Sequence, residues 1–172
     1  MSKKMELKKK GVLLTIDLSF YLEMSGKPNL DAGEVGLITK HWQTWFSFFN
    51  AYTLGEPKGF LIIFLGKEVE KEIEAAWVTS PSKGYALDLM AKTMLMSAVK
   101  EFIPELATLK CAPVPKVNKQ IRRKIASVGL EMKKNGILNH KYAVFTYFPY
   151  KGGCEVCLLK ENCPGPNNQF GK

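Results

Sequence analysis

From Val12 to Glu23 the apolar residues Val12, Leu14, Ile16, Leu18, Phe20 and Leu22 alternate with Leu13, Thr15, Asp17, Ser19, Tyr21 and Glu23. A period of two held over that length predicts a long strand with one buried face. The run 25–29, Ser-Gly-Lys-Pro-Asn, ends it in a turn. Over 31–52 the period changes: Ile38, Trp42, Trp45, Phe46 and Phe49 recur at helical spacing behind Asp31, a residue suited to cap a helix start. The aromatic stripe is expected to be core. His41 lies beside it without a spaced partner, which makes it a weak ligand candidate.

The apolar run 59–66, GFLIIFLG, has no polar alternation and predicts a strand covered on both faces. Next, Val69, Ile73 and Trp77 recur every four residues among Glu68, Glu70, Glu72 and Glu74, the pattern of an amphipathic helix with an acidic, solvated outer face. Thr79-Ser80-Pro81-Ser82 opens another helix, whose stripe of Leu87, Ala91, Met94, Leu95, Ala98 and Phe102 is widened by Leu89, Met90 and Val99. Apolar over so much of its surface, it is expected to be central. Prolines 113 and 115 hold 112–115 extended. Val117, Ile121, Ile125, Val128 and Met132 then predict a helix over 116–134, closed by Asn135-Gly136, and 142–148 reads as the last strand.

No internal repeat and no Gly-rich phosphate loop interrupts this order. The chain of 172 residues is expected to form one domain over 11–150, with a basic flexible tail at 1–10 and a metal-binding segment at 151–172. Nothing approaches a membrane-spanning apolar run, and the first residues, MSKKMELKKK, lack the order of a secretory signal. A cytoplasmic location is expected, where thiols stay reduced unless a metal holds them.

The net charge of +9 is concentrated in two places. Five lysines crowd the first ten residues, and Lys116, Lys119, Arg122, Arg123, Lys124, Lys133 and Lys134 stand against Glu131 on the basic helix. A mobile tail and a solvated helix face account for this, and so does a docking surface for an acidic protein or a nucleic acid. Acid–base or nucleophilic catalysis has little support. The histidines are His41 and His140 alone, with no serine elbow and no His-x-x-x-His pair, and Asp88 is the one carboxylate set in an apolar helix, where capping or a helix-dipole contact would explain it.

The cysteines are more specific. Cys154 and Cys157 form a C-x2-C pair behind Gly152 and Gly153, and Cys163 follows before Pro164. Such a pair lets two sulfurs reach one ion or cluster from a single turn. Three thiolates leave a four-ligand site incomplete, and Cys111, the one remaining cysteine, is expected to complete it. The set could hold an iron–sulfur cluster or a structural zinc; a disulfide between neighbours and unligated thiols are the alternatives.

The segment from Phe60 to Leu106 resembles the core of the activation domain of vitamin B12-dependent methionine synthase, and especially its small stand-alone relatives associated with corrinoid proteins. The likeness is carried by Leu65-Gly66 after the apolar strand, Glu70 to Ile73 in the acidic helix, Leu87-Asp88 in the next helix, and the C-terminal cysteines. It implies an α+β fold, a twisted antiparallel sheet packed with helices, and a setting in low-potential corrinoid chemistry. Family members that bind adenosylmethionine do so through Arg-x-x-x-Gly-Tyr. Here the corresponding stretch, 109–115, reads LKCAPVP, so none of that adenosylmethionine site carries over.

Three functions follow as expectations. The first is an iron–sulfur accessory protein that donates electrons to, or docks on, a corrinoid or redox protein. The second is a zinc-stapled nucleic-acid-binding module using the basic helix. The third is an activator enzyme that binds a methyl donor in a changed pocket.

Overall fold

The computed structural model describes residues 5–107 and 111–163; Lys3 and Lys4 of the basic tail, Leu109, Lys110, and Pro164 with all that follows it lie outside these. Four antiparallel strands form one sheet in the order β1-β2-β3-β4: β1 (Leu7–Lys9), β2 (Phe49–Leu54), β3 (Gly59–Leu65) and β4 (Ala143–Phe148). The fold class is α+β, as expected. Five helices accompany the sheet among the described residues: α1 (Leu18–Ser25), α2 (Ala32–Phe46), α3 (Lys67–Thr79), α4 (Pro81–Phe102) and α5 (Lys119–Ala126). None of them is long and apolar enough to cross a membrane.

The central strand β3 shows why its sequence lacks alternation. Leu61, Ile63 and Leu65 join the cluster built with α2, α3 and α4, where Trp45, Ile73, Leu87, Met90 and Met94 are almost wholly buried. Ile62 and Phe64 point to the other face and pack with Leu54, Phe145, Ile121, Ile125 and Leu138. Both faces are covered, so apolar residues are needed at consecutive positions. At the β2–β3 hairpin a side chain on Gly59 would run into the Leu54 carbonyl, so only glycine lets the strands close there.

Several expected elements differ. The alternation from Val12 to Glu23 is not one strand. Val12, Leu14 and Ile16 do turn inward against the core while Leu13 and Thr15 face out, but the chain is extended without ladder partners, and at Asp17 it becomes α1. The Asp17 carboxylate accepts from the Phe20 amide at 2.9 Å, and Gly26 ends the helix in left-handed geometry. An N-cap and a glycine stop outweighed a period that both conformations tolerate over so few residues.

The helix expected over 31–52 stops at Phe46. Asp31 caps it as expected, with a reciprocal bond from Glu34, but Phe49 begins β2, and Phe46 is half exposed. Phe49 sits one helical turn beyond Trp45 and so imitated a continued stripe. In α3 it is Ala76 rather than Trp77 that is buried with Val69 and Ile73. The basic helix is shorter than 116–134: α5 ends at Ala126, and Gly129, at φ +82°, turns the chain away. Met132 instead bridges to Leu138 across a tight turn in which the Gly136 amide donates to the Lys133 carbonyl at 3.0 Å. Asn135-Gly136 therefore marks a hairpin, not a helix end.

Leu7–Lys9, inside the lysine-rich stretch, pairs with β2 as an edge strand. Lys10 and Lys8 reach Glu56 at 2.5 and 3.3 Å, and these bonds, with Thr53, hold the Glu56 carboxyl down at about 2.

Candidate metal centre

The segment that carries Cys111 is fastened on both sides. The buried Thr146 hydroxyl of β4 donates to the Pro113 carbonyl at 2.9 Å. From the other side the Leu158 amide donates to the Val114 carbonyl at 2.8 Å, and the Val114 amide donates to Cys157 Sγ at 3.4 Å. Prolines at 113 and 115 remove the competing amides and keep the segment extended, so Val114 alone presents both of its backbone groups to the cysteine segment.

The cysteine segment folds locally as two short 3-10 turns, Cys154–Val156 and Lys160–Asn162. The first closes the C-x2-C pair, with the Cys157 amide donating to the Cys154 carbonyl at 3.2 Å. Gly152, at φ +55°, allows the chain to enter this turn. Tyr147 of β4 supports it by donating its hydroxyl to the Val156 carbonyl at 3.4 Å. Leu158 lies over Gly136 of the hairpin, where any Cβ would strike its methyl group. The tail is thus laid across β4 and the hairpin.

None of the four cysteines is in a disulfide. Burial pushes the Cys111 thiol up, and the neighbouring Cys163, Cys157 and Cys154 push it further, although part of its side chain reaches the surface. Cys111 therefore lies within electrostatic reach of the other three, despite some forty residues of chain between them. The thiols are neighbours rather than a finished cage: among the described residues no three Cys, His, Asp or Glu side chains already converge as metal ligands. In chemistry the donor set fits a soft or borderline metal, being four sulfurs with an amide hydrogen already directed at one of them.

The other residues considered from sequence lie elsewhere. His41 is buried, with Nδ1 2.8 Å from the Leu37 carbonyl and Nε2 3.0 Å from Glu72, whose second oxygen accepts from Trp45 Nε1 at 2.7 Å. These contacts tie α2 to α3. Asp88 is neither a cap nor a first-turn residue, because α4 begins seven residues earlier. It is buried and accepts from Lys92 at 2.6 Å and from the Tyr142 hydroxyl at 2.7 Å, with Lys141 at 3.1 Å. Burial alone would raise its pKa; these three donors outweigh it and hold the carboxyl below its usual value. Tyr142 is raised, first by burial and then by Asp88. Of the basic residues, Arg122 donates to the Met132 and Lys133 carbonyls at 2.9 and 3.2 Å and is committed to the hairpin.

Sequence reasoning missed the supports Thr146, Tyr147, Val114, Gly136 and Leu158. Only Gly136 left a signal, and it read equally well as a helix stop. Compared with family profiles, characterised proteins and solved structures, the chain matches none.

Proposed function

We propose that the protein is a small metal-binding accessory protein whose Cys111, Cys154, Cys157 and Cys163 hold an iron–sulfur cluster. On this reading it donates electrons to, or docks on, a protein partner in corrinoid or related low-potential redox chemistry. The observation that carries it is the approach of Cys111 to the three C-terminal thiols across the fold. The Val114 amide aimed at Cys157 Sγ adds support, since hydrogen bonds to ligating sulfur stabilise the thiolate and tune its metal. When bound, a cluster supplies one-electron transfer at a potential set by such bonds and by exposure. The cysteine segment lies at the surface, where a partner can approach it. The corrinoid setting comes from the resemblance of residues 60–106 to methionine synthase activation domains.

Metal and acid-labile sulfide analysis of protein prepared without oxygen tests the reading. Iron with sulfide and a visible charge-transfer band are expected, with most of both lost in Cys111→Ser while far-ultraviolet circular dichroism is unchanged. Zinc without sulfide would replace the cluster by a structural staple. Colourless, metal-free protein would end the proposal.

A further inference from the structure

A cavity of about 420 Å³ opens between the hairpin, the start of β4 and the N-terminal turn of α3. Its walls are of two kinds. Val114, Ile137 and Phe145 supply an apolar side, and Lys133, His140 and Lys141 supply a polar one. The volume lies within the range of small-molecule sites.

The state of His140 follows from its neighbours. The Glu131 amide donates to Asn139 Oδ1 at 2.8 Å, which fixes that atom as the oxygen. His140 Nδ1 is 3.0 Å from the same oxygen and so must carry the proton. Burial, then the Lys67 ammonium, pulls the imidazole below its ordinary pKa, against the smaller opposing effect of Glu70 and Glu68. The ring is neutral at neutral pH, and Nε2 is left as an acceptor. Phe64 stands edge-on to it at 5.5 Å and limits its rotation.

The charges differ in how far they are already used. Glu70 is paired with Lys67 at 3.2 Å, and Lys141 shares Asp88 with Lys92. The Lys133 ammonium has no carboxylate partner among the described residues. A wall with one uncommitted cation, one oriented neutral acceptor and an apolar side selects a particular kind of molecule.

We propose that this cavity binds a small hydroxycarboxylate with an apolar substituent, its carboxylate on Lys133, its hydroxyl donating to His140 Nε2, and its apolar part against Val114, Ile137 and Phe145. The proposal uses no cysteine and does not rest on a metal at the thiols. Mandelate carries all three features, whereas phenylacetate lacks the hydroxyl and benzyl alcohol lacks the carboxylate. In titrations followed by amide and imidazole NMR shifts, mandelate is expected to saturate and to move the signals of Lys133, His140 and Ile137. Phenylacetate should bind about fivefold more weakly, the loss of one hydrogen bond to an oriented acceptor. Lys133→Gln should weaken mandelate about tenfold and Lys133→Arg should restore it. Equal binding of mandelate and phenylacetate, no effect of Lys133→Gln, or shifts elsewhere in the chain would overturn the proposal; so would the absence of saturation.

Discussion

On the helical face of the sheet, cover comes from α2, α3 and α4, whose apolar side chains repeat at short intervals and interlock in one cluster around Trp45, Met90 and Met94. Around β4 and the hairpin, the cysteine segment is held by single bonds from residues far apart in sequence: Thr146 to Pro113, Val114 to Leu158 and to Cys157, and Tyr147 to Val156. The first region derives its stability from buried area, the second from a few directed contacts. Damage to the first should unfold the protein. Damage to the second should free a segment and leave the rest intact.

The largest effect is therefore expected at Trp45, fully buried and bonded to Glu72. Trp45→Ala should cost about 3–5 kcal/mol in chemical denaturation, because it leaves a large cavity and strands the Glu72 contact. A loss under about 1 kcal/mol would mean that the helical face is not the stabilising one. Next comes Asp88, which joins α4 to the start of β4. Asp88→Asn should cost about 2 kcal/mol at neutral pH, since the lysine ammoniums lose their counter-charge and the Tyr142 hydroxyl its carboxylate. The folded carboxyl titrates below its unfolded value, so its contribution is complete above about pH 4 and is lost as pH falls through the folded value. The gap between wild type and Asp88→Asn should close on acidification; a gap that stays constant with pH would deny the ionic part.

The smallest global effect belongs to the hairpin. Gly136→Ala places a methyl group against Leu158 and strains a residue at φ +81°. About 1 kcal/mol of stability should be lost. Hydrogen exchange should nonetheless rise clearly over 154–163, far more than in α4. Uniform acceleration in both regions would show that the cysteine segment is part of the main cooperative unit.

The same contrast explains what could be read in advance. The α4 stripe, the acidic α3 and the unalternating β3 were legible because local period reports burial when a whole face packs on one neighbour. The α+β class followed from their order. At 12–23 the alternation described inward-facing residues correctly as far as Ile16 but could not say that the chain lacked a strand partner, and Asp17 and Gly26 were the clues to a helix. At the cysteine centre the sequence supplied the four sulfurs. Their supports were hidden, because a threonine hydroxyl meeting a carbonyl thirty-three residues away leaves no period to detect.

The proline-bounded segment from Ala112 to Pro115 has a further consequence for how molecules of this protein meet one another. A sheet that ends in open strands invites a neighbouring chain to add another. Here β1, at one margin, is three residues long and carries Lys8 and Lys9, so a newcomer would gain few bonds and bring charge together. Beside β4 the Thr146 hydroxyl holds the Pro113 carbonyl, and Pro113 and Pro115 have no amide hydrogens to offer an added strand. The β1 border is thus guarded by charge, and the segment fastened to β4 has two positions that cannot donate to a newcomer.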